Sequence, residues 1–331
     1  MLIGVDLGGT FIKVGLVDFE GNILRMNSRP TYAQRGYTPI IRTMAEQIRE
    51  LAEAQGIGME DIHSIGIGVP GPVEYTTGRV LYCSNLSWRN VELGTELNSM
   101  LGKSVYVEND ATAAGLGESL FGSTRGAENS VLLTLGTGIG SGIIINGSIY
   151  RGSHAAGSEI GHTIIGENFY DCNCGNNGCF ETFASASAII KYAQHRISND
   201  RVKTLILESA FNKAENITAE IIFEAAKKGD ALALETVDRM CKYLAIGILN
   251  IYNMLDPDII ALGGGVSESE NFPIEQVKKK VNEMVFSKDV RYGEIVPASL
   301  GNSAGIIGSA FLGYYNNDGK SFESECRREL R

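Results

Sequence analysis

Leu2-Ile3-Gly4-Val5-Asp6-Leu7-Gly8-Gly9-Thr10-Phe11-Ile12-Lys13-Val14-Gly15-Leu16-Val17 opens the chain and carries the pattern from which the fold is read. An apolar run from Leu2 ends on Asp6, breaks at Leu7-Gly8-Gly9-Thr10 and resumes from Phe11 to Val17. It then turns at Glu20-Gly21-Asn22 and starts again at Ile23. Short apolar runs separated by glycine-rich breaks predict three strands joined by tight turns. The same plan returns at Val131–Thr134. It breaks at Leu135-Gly136-Thr137-Gly138, resumes from Gly142 to Ile145, turns at Asn146-Gly147 and continues through Ser148–Tyr150. Aligning Leu7-Gly8 with Leu135-Gly136 gives an offset of 128 residues, so one half of the chain reads as a variation on the other.

Strand and helix signals alternate after each meander. Ile40, Ile41, Met44, Ile48 and Leu51 share a face of a helix predicted over Pro39–Gln55. Further strands are expected at Ser64–Val69, Ser104–Val107 and Asp258–Leu262, and further helices at Ser185–Arg196, Thr218–Lys228, Ala231–Leu255 and Ala304–Tyr314. The expected architecture is two α/β lobes, 1–118 and 119–316. Their boundary lies near Glu118–Thr124, the last helix crosses back to the first lobe, and 317–331 forms a solvated charged tail.

Composition narrows the class. With 331 residues and 44% hydrophobic content the chain has material for two medium cores. Its apolar stretches are interrupted by glycine before reaching the roughly 20 residues of a membrane span, and no leader precedes Gly4, so a cytoplasmic protein without a membrane partner is expected. Cys83, Cys241 and Cys326 are scattered, which fits reduced thiols better than a disulfide framework. A net charge of -10 argues against a general nucleic-acid binder.

The 40 glycines exceed the usual share of about 7% and gather at the ends of apolar runs. At Asp6-Leu7-Gly8-Gly9-Thr10, exposed amides can donate to a polyanion that no Cβ keeps away. Asp6 would repel phosphate oxygens, so its natural task is to hold a hydrated Mg²⁺, while Thr10 and Lys13 add donors and charge. Alone, the motif fits a structural β-turn equally well. Gly136-Thr137-Gly138 repeats the arrangement in the second half, and Gly263-Gly264-Gly265 after Ile259–Leu262 offers bare backbone to an adenosine.

His162, Cys172, Cys174 and Cys179 follow the pattern H-x9-C-x-C-x4-C, with Gly175 and Gly178 permitting sharp turns. Three thiolates and one imidazole suit tetrahedral Zn²⁺ at about 2.0–2.3 Å, and Glu159 and Glu181 flank the motif. The plain alternative is a chance cluster of buried thiols. Asp110 follows the strand Val105–Glu108 and Asn109 and precedes a helix-prone run. It suits an N-cap, or a general base that takes a proton from an attacking hydroxyl.

Together these segments resemble the ROK family of bacterial sugar kinases and repressors, within the wider hexokinase, actin and Hsp70 superfamily. The resemblance covers about residues 1–315. It rests on Asp6–Thr10, Glu108-Asn109-Asp110, Leu135–Gly140, Glu159-Ile160-Gly161-His162, the cysteine motif through Glu181, and Gly263–Gly265. It implies a two-lobed actin-like α/β ATPase of ribonuclease H type with a zinc-binding loop. It further implies Asp110 as the base that deprotonates a sugar hydroxyl for attack on the γ-phosphate of ATP. Gly71, Asn85, Asn109, Glu159, His162 and Glu181 are similar to the family's sugar-binding residues, and a homodimer is the family expectation. Asn85-Leu86-x-Trp88 is most similar to the glucose-specific members, which implies phosphorylation of glucose at its 6-hydroxyl. Kinases for N-acetylmannosamine, N-acetylglucosamine or other hexoses use nearly the same polar set.

Two other classes compete with a kinase. The family's repressors carry a helix-turn-helix module ahead of this fold, for which no room is expected before residue 2. A nonenzymatic actin-like or chaperone ATPase leaves the zinc motif and its acids unexplained.

Overall fold

The structure, a computed structural model, describes residues 1–200 and 202–316; the expected tail at 317–331 lies outside the described residues. The opening run forms β1 (Leu2–Leu7), β2 (Phe11–Val17) and β3 (Ile23–Pro30). They are followed by β4 (Ser64–Val69) and, after a small sheet of β5 (Val73–Glu74), β6 (Arg79–Cys83) and β7 (Trp88–Val91), by β8 (Val105–Asn109). The first sheet has the order β3-β2-β1-β4-β8. β1 runs antiparallel to β2 and parallel to β4, and β4 runs parallel to β8. All six residues of β4 are buried, as a central parallel strand covered on both faces requires.

A second sheet repeats the plan with β9 (Ser130–Leu135), β10 (Ile139–Ile145), β11 (Ser148–Ile149), β12 (Ile259–Gly263) and β13 (Glu294–Pro297), in the order β11-β10-β9-β12-β13. Each end of β9 and β10 falls 128 residues after the matching end of β1 and β2, so the internal repeat read from the glycines is a repeat of backbone structure.

Packing divides the chain into two compact units. The first holds Met1–Leu132, Gly142–Ser158 and the described residues from Asn302 onward; the second holds Leu133–Ser141 and Glu159–Gly301. The chain passes between units within β9, within β10, at Ser158–Glu159 and at Gly301–Asn302. The region expected as one helix at Ala304–Tyr314 is two, Ala304–Ala310 and Leu312–Asn316, separated at Phe311. The helix at Ala219–Lys227 is capped by the expected first residue Thr218, whose side chain accepts from the Ile221 amide. The small sheet, the strand Glu294–Pro297 and the helices Leu93–Leu101, Leu205–Ser209 and Ile274–Met284 are among the elements beyond those expected from the sequence.

Glycines let the Ala304–Ala310 helix lie directly on the first sheet and on the helix Asp110–Phe121. A Cβ on Gly4 would stand 1.9 Å from the Ile306 carbonyl oxygen, one on Gly66 1.7 Å from that of Ser309, and one on Gly308 1.7 Å from that of Ala113. Gly308→Ala should therefore reverse the usual gain of up to about 1 kcal/mol for Ala over Gly in a helix. A stability loss of at least about 1–3 kcal/mol is expected from overpacking. Thermal unfolding followed by circular dichroism checks this; an unchanged or higher Tm would show that the two helices part readily.

Candidate active site

In the first unit, the β1–β2 turn is closed by the Gly8 amide donating to the Phe11 carbonyl at 2.9 Å, and Thr31 Oγ1 donates to the Gly8 carbonyl at 2.7 Å. Asp6 and Lys13 are cross-strand partners, with Lys13 Nζ 3.3 Å from Asp6 Oδ2. Gly305 lies beside Asp6: a Cβ there would stand 3.8 Å from the Asp6 Cγ, an ordinary packing contact. Gly9 backs directly onto Asn85: a Cβ on Gly9 would sit 3.2 Å from the Asn85 Cβ. Asn85 lies on the single helical turn Ser84–Leu86 between β6 and β7, which explains the small sheet's place in the site.

β4 and β8 end side by side. Gly71 adopts φ +95°, and a Cβ there would collide with the Tyr82 carbonyl oxygen at 2.2 Å, so only glycine fits this turn. Its carbonyl accepts from Asn109 Nδ2 at 3.4 Å. The N-cap of the Asp110–Phe121 helix is Asn109: its Oδ1 accepts from the amides of Ala111 at 3.0 Å and Thr112 at 3.1 Å. The N-cap expected at Asp110 thus belongs to its neighbour, and Asp110 occupies the first turn, half-buried, with its carboxylate also reached by the Ala111 amide at 2.9 Å.

Arg151 and the side chain of Glu108 carry no motif of their own in the sequence. Glu108 is buried at the end of β8; its Oε1 accepts from the Asn109 amide at 2.9 Å and its Oε2 pairs with Arg151 Nε at 2.5 Å. The partners lie 43 residues apart, so no local pattern announces them.

In the second unit, the two remaining glycine loops pack on each other. Gly264, at φ +85°, would place a Cβ 2.6 Å from the Leu135 carbonyl oxygen, and the Val266 amide donates to that oxygen at 3.0 Å. Gly136 closes on Gly138 through its amide at 3.0 Å. The backbone of Ile139 is the meeting point of this loop with the acidic motif. Its carbonyl oxygen lies where a Cβ on Gly161 would come within 2.0 Å, and its amide donates to Glu181 Oε2 at 3.4 Å. Glu159 starts the short turn Ile160–His162 and takes the His162 amide on its carbonyl at 3.1 Å.

Expected site residues thus divide cleanly. Asp6, Gly8, Gly9, Thr10, Lys13, Gly71, Asn85, Asn109 and Asp110 belong to the first unit; Gly136–Gly138, Glu159, His162, Glu181, the three cysteines and Gly263–Gly265 belong to the second. A family model described as the ROK family matches residues 2–314. The chain belongs to the ROK family. Glucokinase of Thermotoga maritima is 37% identical over 94% of this chain and 96% of its own length. A ROK family glucokinase from Streptomyces griseus, solved with glucose and AMPPNP, superposes with a TM-score of 0.81 at 31% identity, covering 94% of this chain and 98% of that one. A putative xylose repressor from a Caldicellulosiruptor species is 30% identical, the match covering 93% of this chain and 76% of the repressor.

In this ROK-family chain the candidate metal ligands come together. One ligand atom from each of His162, Cys172, Cys174 and Cys179 lies within 4.8 Å of the others. Cys174 Sγ and Cys179 Sγ are 3.5 Å apart, and His162 Nδ1 is 3.7 Å from Cys172 Sγ. Such separations suit four donors around one ion at the bond lengths of zinc. All five cysteines among the described residues are free thiols. The Asn176 amide and the neighbouring thiols bring Cys174 down to about 7, whereas burial and contact with Glu181 push Cys172 up. Gly178, at φ +91°, allows the turn; a Cβ there would strike the Gly166 carbonyl oxygen at 1.9 Å. Phe180 anchors the loop from below, fully buried against Gly247 of the Ala231–Leu255 helix, while Phe183 stacks on Tyr243 at 4.1 Å. Glu181 links the cluster to the glycine loop: Cys172 Sγ donates to its Oε1 at 2.9 Å while its Oε2 faces Ile139.

Proposed function

We infer that this ROK-family sugar kinase transfers the γ-phosphoryl group of ATP to the 6-hydroxyl of glucose, with Asp110 as general base. The observation that carries this reading is the connected corner of the first unit. Gly9 of the phosphate hairpin abuts Asn85, Asn109 reaches Gly71, and Asp110 begins the next helix without serving as its cap. Asp110 takes the hydroxyl proton as the oxygen attacks phosphorus, and the bond to the bridging oxygen of ADP breaks. Proton removal of this kind contributes typically about 10²- to 10⁴-fold.

Asn109 spends its oxygen on the helix cap, which turns its amide donors toward substrate duty beside the Gly71 carbonyl. Glu159, His162 and Glu181 would accept from and donate to hydroxyls near the anomeric carbon. An unpaired partner in such a site costs about 1–3 kcal/mol, enough to discriminate between epimers. Asp6 would hold the hydrated Mg²⁺, with Lys13, Thr10 and the glycine amides of both hairpins taking the phosphates. Phosphoryl transfer needs mainly alignment and charge neutralisation, which these groups supply.

The ligand set of His162 Nδ1 and three thiolates fits a structural Zn²⁺, which would fix the tautomer and orientation of the imidazole and leave Nε2 for a sugar hydroxyl. The same reading includes a homodimer working in the reducing cytoplasm. Among the described residues, no helix is long and apolar enough to cross a membrane.

Glucose is favoured over 2-acetamido sugars because a glucokinase is 37% identical over nearly the whole chain. A coupled assay of ADP formation across glucose, mannose, fructose, N-acetylglucosamine and N-acetylmannosamine is the test. Glucose is expected to lead in kcat/KM by at least about tenfold, a ratio that a 1.4 kcal/mol difference supplies. An N-acetylated sugar in first place would replace glucose as the substrate.

A further inference from the structure

Resting on the reading of Asp110 as the base, we propose that the buried Glu108–Arg151 ion pair is a positioning device for the Asn109–Asp110 corner, with Arg151 a positioning residue of the kinase reaction. Glu108 and Arg151 expose only 6% and 15% of their side chains. The carboxylate is divided between two tasks, Oε1 on the Asn109 amide and Oε2 on Arg151 Nε. The guanidinium also lies over the ring of Tyr75, whose centroid is 4.4 Å from Arg151 Cζ. Both charged partners and the ring belong to the first unit.

A buried ion pair is a poor source of net stability, because removing both charges from water costs about as much as their attraction returns. Its location gives it a different use. Asn109 is the residue where β8 becomes the Asp110–Phe121 helix, and its backbone must hold φ -61° and ψ 142° while its side chain caps that helix. The Asn109 amide points at Glu108 Oε1, so the orientation of that carboxylate sets the orientation of the peptide plane. Arg151 fixes the carboxylate through its second oxygen, and Tyr75 fixes Arg151. Asp110 is the next residue, so any rotation of this peptide moves the proton acceptor. A shift of about 1 Å at a reacting group can cost on the order of 10² in rate.

The test uses Glu108→Gln combined with Arg151→Met. Gln keeps an acceptor for the Asn109 amide, Met fills the space of the Arg stem, and no lone charge is left buried. Arg151→Lys, which keeps the charge but loses the Nε–H that meets Glu108, is assayed beside it, with Asp110→Asn as reference. For both, kcat should fall by about tenfold or more and KM for the sugar should rise, while KM for ATP stays within about twofold. Lys should retain more activity than the double variant. A purely structural pair would lower Tm or the folded fraction and leave kcat per folded molecule and sugar KM unchanged.

If the double variant does not fold, the Lys variant decides, since wild-type kcat and sugar KM there overturn the proposal. Wild-type kinetics in the folded double variant overturn it equally. An inactive Asp110→Asn together with unaffected pair variants removes the positioning role and leaves the base in place. An active Asp110→Asn removes both.

Discussion

Asp110→Asn is expected to lower kcat by about 10²- to 10⁴-fold, the usual worth of a positioned base, while glucose affinity stays within a few-fold of the wild type. The substitution is nearly isosteric and removes only the capacity to accept the proton. Structural damage is limited for a specific reason: the helix cap is Asn109, which keeps its bonds to the Ala111 and Thr112 amides in the variant. The fold loses the attraction between a first-turn carboxylate and the helix dipole, about 0.3–1 kcal/mol, while the Asn oxygen can still accept from the Ala111 amide. A steady-state kcat paired with calorimetric titration of glucose separates turnover from binding. Turnover within tenfold of the wild type, with glucose still bound, would take Asp110 out of the base role.

Cys172→Ser is expected to have the second largest effect. Bound zinc should drop well below one per chain, and kcat/KM for the sugar should fall by about 10–100-fold, the range seen when the environment of a metal ligand is altered. Serine is the smallest change that removes the thiolate ligand, since the hydroxyl stays protonated and neutral at this position and binds zinc poorly. Loss therefore reports on the metal. The damage would spread from the cluster in two directions, through His162 and through Glu181, whose second oxygen faces the Ile139 amide of the glycine loop. Elemental analysis of purified protein beside the sugar kinetics checks both parts. Full zinc content in the variant would exclude Cys172 as a ligand, and zinc-free wild-type protein with full activity would end the structural-metal reading.

Much of this was legible in the residues themselves. Strand ends at Leu7 and Leu135 are marked by glycines because the chain must turn sharply there, and the repeat is legible because both copies solve the same packing problem. The cysteine spacing announced its cluster because all its ligands but His162 lie within eight residues, closed by turns that Gly175 and Gly178 permit. Other parts were hidden. β5, β6 and β7 are short and carry Arg79, Arg89 and Asn90 among their apolar residues, so no strand period stands out, yet they deliver Asn85 to Gly9. The break at Phe311 was also unannounced, since Gly305, Gly308 and Gly313 are spread over the whole apolar run and none falls on the break itself.

Local spacing marked the glycine hairpins and the thiolate and imidazole set, and offered Asp110 as either a cap or a base, because such signals need only particular residue types within about ten positions of the next. Tertiary structure decided why glycine is required at 4, 66 and 308, and that Glu108 meets Arg151. Those outcomes depend on distances between chain segments tens to hundreds of residues apart, and a one-dimensional pattern does not carry such distances.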